Sequence, residues 1–277
     1  MLRVIVLMVT VLGVLWPPSV RAAPVEPVVA APEAIVMDGW TGRVLWSRRA
    51  DVPRYPGSTI KIMTALLILE RHVPLSRVVT VSAFAASYGG STAGLYPGER
   101  LTVWDLLHGM LLPSGNDAAV AVAQIIAPSI PAFSAIMNRR ARRLRMWHTH
   151  YLSANGFDQP GQVSSARDLA IVARFAMRFR AFRRIVRTRV WRAPSNGGPI
   201  THVWYNTNQL LGASSAVDGV KTGTTPGAGA CLVSSARKDG RWIIAVNMDS
   251  PEALRFADGA ALLNYGFLAE GSMPSAR

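Results

Sequence analysis

Cysteine is nearly absent. The 277-residue chain has one, Cys231, which excludes an internal disulfide and a cysteine-based zinc cluster. Lysine is almost as scarce. It stands only at Lys61, Lys221 and Lys238, although Lys and Arg together number 30 against 16 Asp and Glu, a net charge of +14. Charged residues make up only 17% and hydrophobic ones 50%, which excludes a disordered chain. A hydrophobic run of membrane-spanning length is also missing. The run Val4–Trp16 has 13 residues, short of the roughly 18 that a bilayer crossing needs.

That run follows Arg3 and precedes Val20-Arg21-Ala22, the layout of a secretory signal. Residues 1–22 are expected to be the signal, with cleavage after Ala22; an uncleaved anchor is the alternative. Its removal leaves a charge of about +12 and a protein working in the periplasm or cell envelope. Residues 23–33 hold three prolines and read as an extended leader, and 34–272 as one domain.

Ala34–Met37 and Arg43–Trp46 read as strands around a hairpin loop. Periodic apolar positions predict helices from Ser58 to about Arg71 and at 102–112, 117–127, 132–146 and 165–181. Thr102 with Asp105, and Ser165 with Asp168, have capping-box spacing. Gly219–Thr224, Ala230–Ser235 and Trp242–Asp249 return to a strand pattern, and a last helix covers roughly 251–265. Strands, a helical middle and strands again predict an α+β fold: one antiparallel sheet made from both chain ends, with an inserted helical lobe.

Because arginine fills nearly every positive position, lysine marks places where arginine does not serve. A buried lysine can become a neutral base, and arginine cannot. In Ser58-Thr59-Ile60-Lys61, a helix opening at Ser58 puts Lys61 one turn on, on the same face. A serine hydroxyl needs such a base, and helix N-terminal N–H groups suit an oxyanion. A capping serine with an exposed lysine fits the same four residues. Lys221, in Asp218-Gly219-Val220-Lys221-Thr222-Gly223-Thr224, would sit on a strand with Thr222 and Thr224 hydroxyls nearby, a setting for a carboxylate. Gly223 would admit another chain closely. An edge-strand lysine that discourages aggregation is the alternative. Ser114-Gly115-Asn116 falls between two helices, where a hydroxyl could relay a proton and an amide hold a carbonyl, or where a turn and cap alone would serve. Ser153-Ala154-Asn155 is a rival Ser-x-Asn, set second because it does not fall at a helix junction between the other two motifs.

Ser58-x-x-Lys61, Ser114-Gly115-Asn116 and Lys221-Thr222-Gly223, in that order, resemble the penicillin-binding protein and serine β-lactamase superfamily. The flanks Pro56–Thr64, Pro113–Ala118, Asn206-Thr207-Asn208-x-Leu210-Leu211 and Asp218–Thr225 are similar to the low-molecular-mass D-alanyl-D-alanine carboxypeptidases, over about residues 30 to 265. The resemblance implies a β-lactamase/transpeptidase-like fold and hydrolysis of the D-Ala-D-Ala bond of peptidoglycan stem peptides without cofactor or metal. It makes Ser58 the nucleophile, Lys61 its base and Ser114 a proton relay. Asn116 would orient the peptide, and Lys221, Thr222 and Thr224 would hold its carboxylate beside Gly223. The N–H groups of Ser58 and Thr224 would form the oxyanion hole, and β-lactams would acylate Ser58. The second β-rich domain and anchoring helix of many members are expected to be absent, as in shorter relatives that act as D,D-endopeptidases. A non-catalytic wall-binding relative is the remaining alternative. No glutamate lies between Asn116 and Lys221, so the deacylating glutamate of class A β-lactamases has no counterpart.

His148-Thr149-His150 lacks the further ligands of a metal site and is assigned to packing and surface roles. Five arginines crowd Arg139–Arg145, and Arg174–Arg192 holds eight. For an exported protein they suggest weak contact with anionic wall polymers or a membrane surface rather than nucleic acid; a plain solvated cationic face is the alternative. Cys231 reads as a small buried residue.

Overall fold

The computed structural model describes residues 24–272, apart from 197 and 199. The expected signal, 1–22, lies outside the described residues. The chain opens with β1 (Glu33–Asp38) and β2 (Val44–Arg48), then passes through a 3-10 turn at Gly57–Ile60 into α1 (Lys61–Glu70). β3 (Val78–Thr80), α2 (Ala83–Ala86) and β4 (Arg100–Thr102) lead to α3 (Val103–Leu111), α4 (Asn116–Gln124) and α5 (Ile130–Arg143). Next come α6 (Ala166–Ala176), α7 (Arg180–Arg187), the hairpin β5 (Val190–Pro194) and β6 (Thr201–Tyr205), and the short α8 (Leu210–Ala213). β7 (Val217–Thr225), β8 (Gly229–Lys238), β9 (Arg241–Ser250), a 3-10 turn and α9 (Arg255–Ser272) complete it.

The five-stranded sheet has the order β2-β1-β9-β8-β7, all neighbours antiparallel, so strands from both chain ends interleave as the sequence predicts. Period-2 alternation splits its residues between two cores. Ile35, Met37, Val233, Ile244 and Val246 face the helical lobe, while Ala34, Val36, Leu232, Ile243 and Ala245 face α9. α1 runs through the middle of the lobe, buried from Lys61 to Leu69. A helix apolar on every side is stable only with such an all-round cover.

Several boundaries differ from the sequence reading. The 165–181 helix stops at Ala176, and a second helix, α7, starts after Phe179. The predicted caps are half boxes. Thr102 Oγ1 and Ser165 Oγ accept from the N–H of Asp105 and Asp168 as expected. The carboxylates accept from other groups: Asp168 from His148 N and Thr149 Oγ1, and Asp105 from the Thr102 hydroxyl and the Trp191 indole. Residues 24–32 of the expected leader form neither helix nor strand and are docked: Ala30 N and Ala31 N donate to the Asp258 carboxylate on α9 at 2.9 and 3.0 Å.

Candidate active site

Ser58 does not cap α1. It sits inside the 3-10 turn, capped by Pro56, and α1 proper starts at Lys61. The tighter turn still brings the two side chains together, with Lys61 Nζ 2.7 Å from Ser58 Oγ. Lys61 is fully buried. Burial, then repulsion from Lys221, hold its pKa well below the ordinary lysine value, against a smaller opposing pull from Asp117.

The hydrogen-bond partners fit a neutral amine. Nζ lies 2.8 Å from Asn116 Oδ1 and 2.8 Å from the Asn155 carbonyl. An uncharged amine has two N–H donors for these two acceptors, and its lone pair is then left for the Ser58 hydroxyl proton. Ser114 Oγ stands further off, at 3.4 Å. Ser114 is held at φ +69°, a left-handed backbone that a serine rarely adopts and that surrounding structure must enforce. The enforcing contacts are Gly115 N to Gly109 O and Asn116 N to Ser91 O. The Asp117 carboxylate pins the facing loop through the N–H groups of Ala93 and Leu95.

The rival Ser-x-Asn segment is therefore part of the same site, through a backbone carbonyl that its side chains do not advertise. Gln162 fixes the segment: its Oε1 accepts from Leu152 N, Ser153 N and Ser153 Oγ, and its Nε2 donates to Phe157 O. Two glycines make the approach possible. Gly156 has φ +97°, and a Cβ there would fall 2.0 Å from the Gly57 carbonyl oxygen. Gly57 itself has φ +52°.

The third motif lies on β7, one of the two edge strands of the five-stranded sheet. Gly223 lets this strand pack on the 3-10 turn, since a Cβ would stand 3.1 Å from both Ser58 N and Pro56 O. Lys221 is buried and donates to Thr222 O at 2.9 Å. Burial, then the nearby Arg255 charge, push it down to about 7. Thr222 differs from expectation: its hydroxyl pairs with Thr207 Oγ1 at 2.7 Å, and Thr207 N donates to Leu112 O. The Asn206-Thr207-Asn208 segment thus ties β7 to the Ser114 loop. Thr224 is exposed, and its hydroxyl accepts from Arg255 Nη1 at 2.6 Å. Arg255 and Asp158 were not singled out in the sequence. Asp158 accepts from Thr225 Oγ1 and Gly227 N, which fixes the β7–β8 turn. A cavity of about 490 Å³ lies between these elements, lined by Ser58, Asn116, Asn155, Phe157, Asp158 and Thr224 among others. The histidine pair lies elsewhere: His150 Nδ1 meets Gly161 O, and His148 faces Asp51.

Known proteins share this arrangement of chain. A D-alanyl-D-alanine carboxypeptidase from Streptomyces sp. (strain K15) is 35% identical over 258 residues, covering 87% of this chain and 89% of the relative. The carboxypeptidase DacF of Bacillus subtilis is 37% identical, and DacC of Escherichia coli 34%; the chain spans 62% and 66% of their lengths. A solved structure of the Streptomyces K15 DD-transpeptidase matches with a TM-score of 0.84 at 35% identity, over 88% of this chain and 99% of that one. A Francisella tularensis carboxypeptidase DacD matches at 0.81 and 28% identity. A profile described as D-alanyl-D-alanine carboxypeptidase matches residues 20–252, and on this evidence the chain belongs to that family.

Proposed function

We propose that the protein removes the terminal D-alanine from peptidoglycan stem peptides through an ester on Ser58. The observation that carries this is the 2.7 Å pair of Ser58 Oγ and a buried lysine whose two N–H donors are already engaged. Ser58 Oγ bonds to the carbonyl carbon between the two D-alanines, and its proton passes to Lys61 Nζ. The oxyanion rests on the N–H groups of Ser58 and Thr224. The C–N bond breaks as the proton moves to the leaving amine by way of Ser114. Water then hydrolyses the ester, releasing the shortened peptide and restoring the hydroxyl. Asn116 orients the peptide. Lys221, Thr224 and Arg255 take its C-terminal carboxylate, while Thr222 secures the strand through Thr207. The arriving carboxylate restores the charge that burial discourages on Lys221.

β-Lactams enter the same path and acylate Ser58. The protein acts outside the cytoplasm, consistent with the leading segment and with the bacterial wall enzymes it resembles. No helix among the described residues is long and apolar enough to cross a membrane. The test is Ser58→Ala against a fluorescent penicillin and a D-Ala-D-Ala pentapeptide. Labelling and D-alanine release both vanish if Ser58 is the nucleophile; surviving label overturns the assignment. Cleavage of cross-linked muropeptides without D-alanine release from the pentapeptide would instead indicate an endopeptidase.

A further inference from the structure

A second cavity, about 680 Å³ and larger than the one at Ser58, lies where α7 packs beside the start of β7. It is lined by Arg183, Arg184, Arg187 and Arg237, with Asp218 as the one acidic residue. Asp218 Oδ2 already accepts from Arg237 Nη1 at 2.9 Å. Four arginines and one carboxylate thus line the cavity, with the Arg184 guanidinium also over the Trp104 ring at 5.5 Å and that of Arg237 over Trp242 at 4.2 Å. Arg183 spends one nitrogen on the carbonyls of Met177 and Arg178. The Arg187 side chain has no hydrogen bond or ion pair with any described residue, and Arg237 Nε is buried without a partner. Burial lowers the Arg237 pKa, the Asp218 carboxylate opposes that, and the Arg183 charge adds a smaller lowering. Like charges gathered in a concavity are unfavourable by themselves, and an oxyanion between them relieves the repulsion.

The guanidinium fork matches the two oxygens of a carboxylate. β7 also ties this cavity to the Ser58 site. Asp218 lies near its start and Thr224 near its end, about 20 Å apart at the usual strand rise. A polymer with recurring free carboxylates can occupy both places at once. We propose that the α7–β7 cavity is an anchoring subsite for carboxylates of the peptidoglycan polymer, away from the peptide under attack. This rests on the reading of the Ser58 site as a wall-peptide hydrolase. The eight arginines of Arg174–Arg192 then serve, in part, substrate retention.

The test uses Ser58→Ala protein and cosedimentation with insoluble peptidoglycan freed of phosphodiester-linked polymers. R184Q/R187Q in that background weakens binding about tenfold, the scale expected when one of two linked contacts is lost. R142Q/R143Q, with the same loss of charge on α5, changes it less than about twofold. Amidating the polymer's carboxylates reproduces the first loss. The proposal is overturned if both pairs weaken binding equally, if binding survives amidation, or if R184Q/R187Q affects only phosphatidylglycerol vesicles. Hydrolysis of a short pentapeptide by R184Q/R187Q with Ser58 intact stays at the native level. Absence of that hydrolysis in the native enzyme would remove the functional reading and leave the binding comparison readable.

Discussion

Lys61 and Lys221 are both fully buried, and burial lowers both pKa values, but their proposed tasks need opposite protonation states. Lys61 must be neutral to accept a proton, so activity falls on the acid side as it becomes charged. Lys221 must be charged to hold a carboxylate. With its pKa near 7, the free enzyme loses that charge as pH rises through neutrality, and kcat/KM should decline above about pH 7, chiefly through KM. Lys221→Arg keeps its charge throughout. Whatever its absolute activity, its profile should lack that alkaline decline. A native-like decline in K221R would show that another group is responsible. Gly156 offers a backbone test. Ala there meets both a positive φ and a carbonyl oxygen at 2.0 Å, so Gly156→Ala should displace the Asn155 carbonyl from Lys61 and slow penicillin acylation at least about tenfold.

At the scale of elements, α3 and the β5–β6 hairpin meet through an aromatic layer that also carries a titration. His108 on α3 stacks on Trp191 of β5 with ring centroids 4.0 Å apart, and its Nδ1 meets Trp104 O. Burial pushes its pKa down to about 4, and Nε2 is buried without a partner. The folded state therefore resists a proton that the unfolded state accepts near pH 6.5. Stability should be intact above that value and fall between about pH 6.5 and 4, by about 3 kcal/mol at the end of the window. His108→Gln does not titrate and should lose less stability than the native protein across that window, read from thermal melts at matched pH. Parallel losses would refute the assignment. The main helices and the sheet strands were legible in the sequence because apolar spacing reports which face is buried. The β3–β4 and β5–β6 hairpins were not. β3 and β4 have three residues each and pair across some twenty residues, and pairing at that distance leaves no local signature. The break at Ala176 was hidden as well, because the arginine-rich stretch after it continues a helical composition.

At the scale of the molecule, the sheet needs both chain ends, and the leader adds to that closure. Asp258 is buried, and its carboxylate accepts two leader N–H groups. Asp258→Ala leaves those donors unsatisfied and should cost about 1–3 kcal/mol while opening residues 24–32 to proteolysis. An unchanged melting temperature and cleavage pattern would show that the leader contributes nothing to the domain. The sequence by itself determined the chemistry available: one hydroxyl–amine pair at helical spacing, a Ser-x-Asn, and a strand-borne lysine in a chain that otherwise prefers arginine. Such patterns are local, because spacing along one element sets which side chains share a face. Only the tertiary structure decided that the Asn155 carbonyl completes the lysine's partners, that Thr222 turns to Thr207, and that Arg255 reaches Thr224. Each of those depends on packing between segments distant in the chain, and the first on a backbone carbonyl and glycines whose role no side-chain pattern records.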